Sequence, residues 1–368
     1  MTQPGPRLHT VPVTPRTTWL FVFVHPVGGA PGWGECSDIP ASEARRLLAG
    51  LAPLVAGLGP QEATDVLDRA GDAWSGHGRY PTGRLHRRTV LGGLATALAD
   101  SAARTAGAPL GAWLARRAGA PRPRRTRVPL YANINRALTA RTPQAAAELA
   151  ARAVAEGHRT VKCAPFDGLD TPHRLERGLE IAHAVRDAIG PGRTLLLDAH
   201  HLLKPRHFLA RAEEFTRLRP GWLEDAAPLS APGDLLRIRD ALGIPLAGGE
   251  FAGTAREILP ALRAGALDVL LPDVKHAGGP LGLLRLAGLA TDHGARVSLH
   301  NLGGPVATAA SAHLTAHLSD GLPLEAMYGE TPVHRTSIPP EPLTGAGYTL
   351  GDAPGLGLTP VLGTAGVH

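Results

Sequence analysis

Residues 195–205 read LLLDAHHLLKP, a smooth apolar run that breaks abruptly at Asp198, His200 and His201. Three such residues at the end of a strand can bind a metal, move a proton, or do neither, and the neighbouring runs decide between these. Seven other short runs share the form: VPLYANIN (128–135), HRTVKCA (158–164), GWLED (221–225), IPLAGGE (244–250), LDVLLPD (267–273), ARVSLH (295–300) and LPLEAM (322–327). Helix-period segments lie between them. TPQAAAELAARAVAEG (142–157) has Thr142 to cap its start, Pro143 in its first turn and Gly157 as its stop. Strands alternating with helices in this way predict an α/β fold, a (β/α)7–8 TIM-type barrel with its helices outside.

Most of these runs carry a reactive residue near their ends: Lys162, Asp198 with His200, Glu224, Glu250, Asp273, His300 and Glu325. In a parallel barrel all C-terminal strand ends converge on one face. A single carboxylate there is ordinarily a helix cap or a solvated loop residue. Five carboxylates, two histidines and a lysine on one rim are more than caps explain. Asp198, Glu224 and Glu250 recur every 26 residues, one βα repeat apart, and so point at a common centre. Clustered carboxylates repel one another unless a cation sits between them, and hard oxygen ligands suit Mg²⁺. One Mg²⁺ per subunit is therefore expected, with these three as ligands. Asp273 and His300 end adjacent strands, and a carboxylate beside an imidazole fixes its tautomer and raises its basicity, which makes a general base.

The chain of 368 residues suits one large domain or two of ordinary size. Residues 1–125 read as an N-terminal α+β capping domain. TTWLFVFVHPVGGAPGWGE (17–35) gives two strands around a Gly/Pro turn, followed by helical stretches at 41–57 and 88–117. The barrel is expected over 126–330. Two cysteines, Cys36 and Cys163, occur outside any paired motif, which argues against a disulfide framework or a structural zinc. The net charge of +6 is scattered apart from PRPRRTR (121–127), read as a solvated linker, and aromatics are too few for base stacking; no nucleic-acid partner is expected. No run is apolar and long enough to span a bilayer, and the N-terminus lacks a signal-peptide core, so a cytoplasmic protein without a membrane partner is expected.

Taken together, GWGE (32–35), TALADSAARTAGAPLGAWL (96–114), VKCAPF, LLLDAHH, WLED, AGGE, PDVKHAGG and SLHNLGGPVATAAS, in this order, resemble the enolase superfamily, mandelate racemase subgroup, and within it the acid-sugar dehydratases. The resemblance implies Mg²⁺ on Asp198, Glu224 and Glu250, a His300–Asp273 base dyad, Glu325 as hydrogen-bond donor to an enediolate, and Lys162 as a cation beside the substrate carboxylate. It also implies that residues 331–368 pack back on the capping domain, and that the protein is a homo-oligomer. Some acid-sugar dehydratases carry Asp-x-His on the third strand, its histidine protonating the departing hydroxyl. Strand alternation would aim His200 inward beside Asp198 for that role and leave His201 structural.

Racemases of the subgroup carry Lys-x-Lys on the second strand, but here the stretch is Lys162-Cys163-Ala164, so Ala164 leaves the second base position empty while Cys163 faces the helices. His276 stands where a related subgroup has a basic lysine, and its role stays open. These features predict a hydro-lyase acting on a small hydroxylated carboxylic acid, aldonic-acid-like, giving a 2-keto-3-deoxy acid. An epimerase, racemase or cycloisomerase on the same scaffold is the alternative, and a non-catalytic binding protein that keeps the barrel is the rival from another class. Trp33, Tyr80 and Arg84, near the VGGAPGWGE turn and the GHGRYPTGR segment, are the candidate substrate contacts from the capping domain.

Overall fold

The computed structural model describes residues 5–74, 82–119, 125–318, 322–330 and 345–358. Tyr80, residues 121–124 of the basic run and most of 331–368 lie outside these. Strands β1 (Arg7–Pro12), β2 (Thr18–Val24) and β3 (Gly32–Glu35) make an antiparallel sheet in that order. Helices α1 (Ala41–Val55), α2 (Pro60–Trp74), α3 (Thr82–Thr105) and α4 (Leu110–Ala118) follow. The structure thus adds β1 and α2 to the expected elements and divides the expected 88–117 helix in two. The division has a local cause. Gly107 adopts a left-handed φ of 60°, and Pro109 has no N–H to continue the helical ladder. Leu20 and Val22 of β2, Leu47 and Leu51 of α1, and Leu91 and Leu94 of α3 share one buried cluster, which binds sheet and helices into a unit.

The eight parallel strands are β4 (Arg127–Asn133), β5 (Thr160–Cys163), β6 (Thr194–Asp198), β7 (Trp222–Glu224), β8 (Leu246–Gly248), β9 (Val269–Leu270), β10 (Arg296–Val297) and β11 (Leu324–Met327). They alternate with α5 (Pro143–Ala155), α6 (Arg174–Ile189), α7 (Pro205–Ala210), α8 (Ala212–Leu218), α9 (Pro232–Leu242), α10 (Ala255–Arg263), α11 (Pro280–Asp292) and α12 (Pro305–Thr315). Thr142 caps α5 by accepting from the Ala145 N–H. The ladder runs β10-β9-β8-β7-β6-β5-β4-β11. Between its two ends the Glu325 N–H donates to Leu299 O at 3.3 Å and Ser298 Oγ to Pro323 O at 2.8 Å, which closes the ring. Strand β12 (Gly347–Thr349) pairs antiparallel with the start of β4.

Alternation sorts the strand residues by layer. Tyr131, Leu196, Trp222, Ala247, Val269 and Leu271 form a separate buried cluster that fills the ring. Leu195, Leu197 and Cys163 join the larger cluster shared with the helices. The N-terminal unit docks on the rim of the ring. Glu35, at the end of β3, accepts from the N–H groups of Gly304 and Ala307 at the start of α12 (2.5 and 2.9 Å). On α3, a Cβ at Gly92 would collide with the Lys275 carbonyl, so only glycine lets the helix lie against the loop that follows β9.

Candidate active site

Eight of the chemically capable residues named from the sequence meet at the C-terminal rim. Lys162 projects from β5 into their midst, almost fully buried, with Nζ 2.5 Å from Glu224 Oε1, 3.1 Å from Glu325 Oε1 and 3.2 Å from Asp198 Oδ2. Asp198 and Glu224 are register partners on β6 and β7. Glu250 follows β8 by way of Gly249, whose φ of 104° suits glycine alone, and its Oε2 lies 3.1 Å from His300 Nε2. His300 Nδ1 lies 2.9 Å from Asp273 Oδ2, and its Nε2 3.9 Å from Glu325 Oε2. Trp222 Nε1 donates to Glu224 Oε2 at 3.3 Å from the inner layer.

Burial and like charge set the electrostatics. Burial raises the Glu224 carboxyl well above its ordinary range, and Asp198 adds to the rise against Lys162. Burial also raises Glu250, His300 pulling the other way. Asp198 is lowered although burial opposes it, because Lys162 and His200 stand beside it. Burial disfavours a proton on His300, yet Glu250, Glu325 and Asp273 outweigh it and raise the imidazole to about 9. These carboxylates are short of positive charge.

Among the described residues three buried polar atoms of this region lack a hydrogen-bond partner: Tyr131 Oη, Asp198 Oδ2 and His300 Nε2. The last two face charged neighbours without the alignment of a hydrogen bond. As they stand, no three Asp, Glu, His or Cys side chains among the described residues surround one point closely enough to hold a metal. Lys162 is the cation that lies between Asp198 and Glu224. By donor chemistry the site nevertheless suits a hard divalent ion: three buried oxygen donors, one with an unsatisfied oxygen, in excess of the local cations.

One expectation is corrected. His200 lies beside Asp198, its Nε2 2.9 Å from Oδ2, but not through strand alternation. Strand β6 ends at Asp198, and His200 and His201 turn back with left-handed φ of 43° and 54°. Glu325, expected to donate to an enediolate, accepts hydrogen bonds from the protein on both carboxylate oxygens. Asn133 Nδ2 reaches Oε1 at 2.7 Å and the Asn301 N–H reaches Oε2 at 3.0 Å. Burial would raise this carboxyl, but Lys162 and His300 hold it below its ordinary value.

The capping-domain contacts fare differently. Trp33 is buried between the rings of His9 and Phe23 (centroids 5.5 and 4.8 Å), as a packing residue of β3 rather than a substrate contact. Arg84 is half-buried in the first turn of α3, one turn before Arg88, which bonds Glu257 and the Phe251 carbonyl above β8. Tyr80 lies outside the described residues.

Sequence reasoning passed over three charged partners. Asp167, in the loop after β5, lies 2.8 Å from His200 Nδ1. Lys275 Nζ, 1% exposed, lies 2.8 Å from Asp38 Oδ2 and 3.4 Å from Asp273 Oδ2, tying the capping domain to the His300 dyad. Asp225 (φ 49°), beside Glu224, has Oδ2 3.4 Å from His201 Nε2. His276 is buried, which lowers its imidazole to about 4, and its Nδ1 meets Thr89 Oγ1 of α3 at 3.0 Å. An open surface cavity of about 710 Å³ between α8 and α9 shares no residue with the rim cluster.

A ring of parallel strands with carboxylates at its rim and an α+β cap defines the class. The chain belongs to the enolase superfamily: the Enolase C-terminal domain-like family model matches residues 145–362. The chain is 31% identical to a D-gluconate dehydratase of Thermoproteus tenax over 275 residues, 73% of this chain but 54% of that protein's length. It is 29% identical to a D-galactarolactone cycloisomerase of Agrobacterium fabrum over 93% of this chain and 89% of that one. A mandelate racemase/muconate lactonizing enzyme from Jannaschia sp. CCS1 superposes with a TM-score of 0.83 at 25% identity, covering 98% and 95% of the two chains. No helix of the described residues is long and apolar enough to cross a membrane.

Proposed function

We propose that the protein is a carbon–oxygen lyase that dehydrates a hydroxylated carboxylic acid of the aldonic acid-sugar class to a 2-keto-3-deoxy acid. The observation that carries this reading is the pair of carboxylate-held imidazoles, His300 on Asp273 and His200 on Asp167, on either side of a carboxylate cluster centred on Lys162. Asp198, Glu224 and Glu250 would hold one Mg²⁺ per subunit, whose charge supports an enediolate and offsets the carboxylates that keep His300 protonated. His300 Nε2 takes the C2 proton, with Asp273 fixing the ring. Lys162 supplies a buried positive charge for the substrate carboxylate. His200 gives a proton to the departing C3 hydroxyl, and the enol left behind tautomerises to the keto acid. Ala164, buried at the end of β5, offers no second base, so a single C2 configuration is accepted.

The cycloisomerase that matches over nearly the whole chain favours a second reading, isomerisation of an α-substituted carboxylate. A panel of acid sugars with Mg²⁺, assayed for 2-keto acid beside an Asp198→Asn control, tests the first. Keto acid from the wild type alone supports dehydration. Exchange of the C2 proton in D₂O with isomer but no keto acid supports the second.

A further inference from the structure

Asp167 stands in the connection between β5 and α6, and its place is built rather than incidental. Phe166 beside it is fully buried, and its ring lies where a side chain on Gly178 of α6 would have to go, so the helix admits only glycine there. On the other side, the Ala164 N–H donates to Asn135 Oδ1 at 2.6 Å and Arg141 Nη1 donates to Ala164 O at 3.3 Å. The loop is thus pinned at both ends of the tripeptide before the aspartate. The Asp167 carboxylate is turned toward the rim, with Oδ1 2.8 Å from His200 Nδ1 and Oδ2 4.0 Å from the Arg141 guanidinium.

His200 is also held in place by its backbone. Two consecutive residues with side chains, His200 and His201, take left-handed φ that L-residues rarely adopt. Three hydrogen bonds sustain the turn: His200 N–H to Asp198 Oδ1 (3.0 Å), His201 N–H to Asp225 O (3.0 Å) and Leu202 N–H to Ala199 O (2.7 Å). The ring that results is part-exposed, with one nitrogen on Asp167 and the other toward the carboxylate cluster. In the ring of strands β6 lies four places from β10, which is diametrically opposite in a barrel of eight. His200 and His300 therefore approach the centre from opposite walls, each with a carboxylate on Nδ1.

We propose that Asp167 is the positioning residue of the acid: it accepts from Nδ1–H of the His200 imidazolium and fixes the ring, so that Nε2–H presents the proton to the leaving hydroxyl. This rests on the dehydratase reading above. In the step it serves, the enediolate electron pair forms the C2–C3 double bond as the C3–O bond breaks. The departing oxygen takes the Nε2 proton and leaves as water. Without Asp167 the ring can rotate or change tautomer, and elimination slows while proton removal by His300 does not.

The test compares Asp167→Ala and Asp167→Asn with the wild type, using the acid sugar that the wild type turns over, in D₂O with Mg²⁺. Elimination is expected to fall about 10- to 100-fold in Asp167→Ala, as for other residues that orient a reactive histidine, while C2 exchange and KM change little. Asp167→Asn, which keeps an acceptor at the same place, restores part of the rate. In parallel, ¹⁵N spectra of histidine-labelled protein, with His200 assigned by difference from His200→Gln, should show a hydrogen-bonded Nδ1–H in the wild type and its loss in Asp167→Ala. Equal losses of exchange and elimination, or an unchanged His200 spectrum, overturn the proposal. A wild type that makes no keto acid from any member of the panel overturns the dehydratase reading and this role with it.

Discussion

Lys275→Met tests whether the capping domain is bound to the base dyad through a buried lysine that pairs with buried Asp273 on one side and the more exposed Asp38 on the other. Lys275 is 1% exposed, and its Nζ stands 2.8 Å from Asp38 Oδ2 and 3.4 Å from Asp273 Oδ2. Breaking a buried pair by removing one partner costs about 3–5 kcal/mol. The lower end applies, because Asp38 keeps Arg136 at 2.7 Å and Asp273 keeps His300 and the Lys275 N–H. Unfolding entropy of about 2.1 cal/mol/K per residue over 368 residues turns ~3 kcal/mol into a fall of about 4 °C in the melting midpoint. Burial opposes both charges, yet Lys275 and Arg136 hold Asp38 below the usual carboxylate range, and Asp273 with Asp38 raises Lys275. The pair's contribution is therefore intact at neutral pH, lost only as pH falls through the depressed Asp38 value or rises through the raised lysine value. Differential scanning fluorimetry on Lys275→Met, Asp38→Asn and the double variant reads the effect. The double variant should lose less than the two single losses together, by at least about 1 kcal/mol. A midpoint within about 1 °C of the wild type for Lys275→Met, or additive losses, would refute the link.

Gly92→Ala should lower the melting midpoint by several degrees and slow turnover, since its Cβ meets the Lys275 backbone rather than a movable side chain; a neutral substitution, seen by fluorimetry and activity, would contradict that packing. His313, buried in α12, accepts from the Gly111 N–H at 3.3 Å, and burial lowers it to about 4. The unfolded imidazole takes its proton near 6.5, so the fold should lose stability as pH falls from there toward 4, and His313→Gln should flatten that slope in urea melts. Saturating Mg²⁺, about 100-fold above its dissociation constant, should add about 2.7 kcal/mol of stability, and a Glu224→Gln variant should gain much less.

The barrel was legible because its eight strands are short apolar runs alternating with helix-period segments, and because most of them carry a polar residue near the end that parallel strands expose. Strand β1 was not, since RLHTVP is an edge strand with neither face fully buried and so carries no clean alternation. Helix α2 was missed for a related reason: its apolar residues are few, and Gly71 interrupts them. Asp198, Glu224, Glu250, Asp273 and His300 were legible as a cluster because each lies at, or within three residues of, the C-terminal end of a parallel strand. Asp167 and Lys275 were not, because each finds its partner through a loop whose course is set by a distant glycine, Gly178 for one and Gly92 for the other. Trp33 was misjudged because a Gly/Pro-rich turn suggested an open loop, whereas it pairs with Phe23 across β2 and β3 and its ring is consumed in that packing.

The central claim is that His300, held by Asp273, removes the α-proton of a hydroxylated acid whose hydroxyl is then lost. ¹H NMR of the acid-sugar panel in D₂O with Mg²⁺, wild type against His300→Asn, tests it most directly. Keto acid is expected from the wild type, and neither C2 deuteration nor keto acid from the variant. Undiminished turnover by His300→Asn, or product formed without loss of the C2 proton, would contradict it.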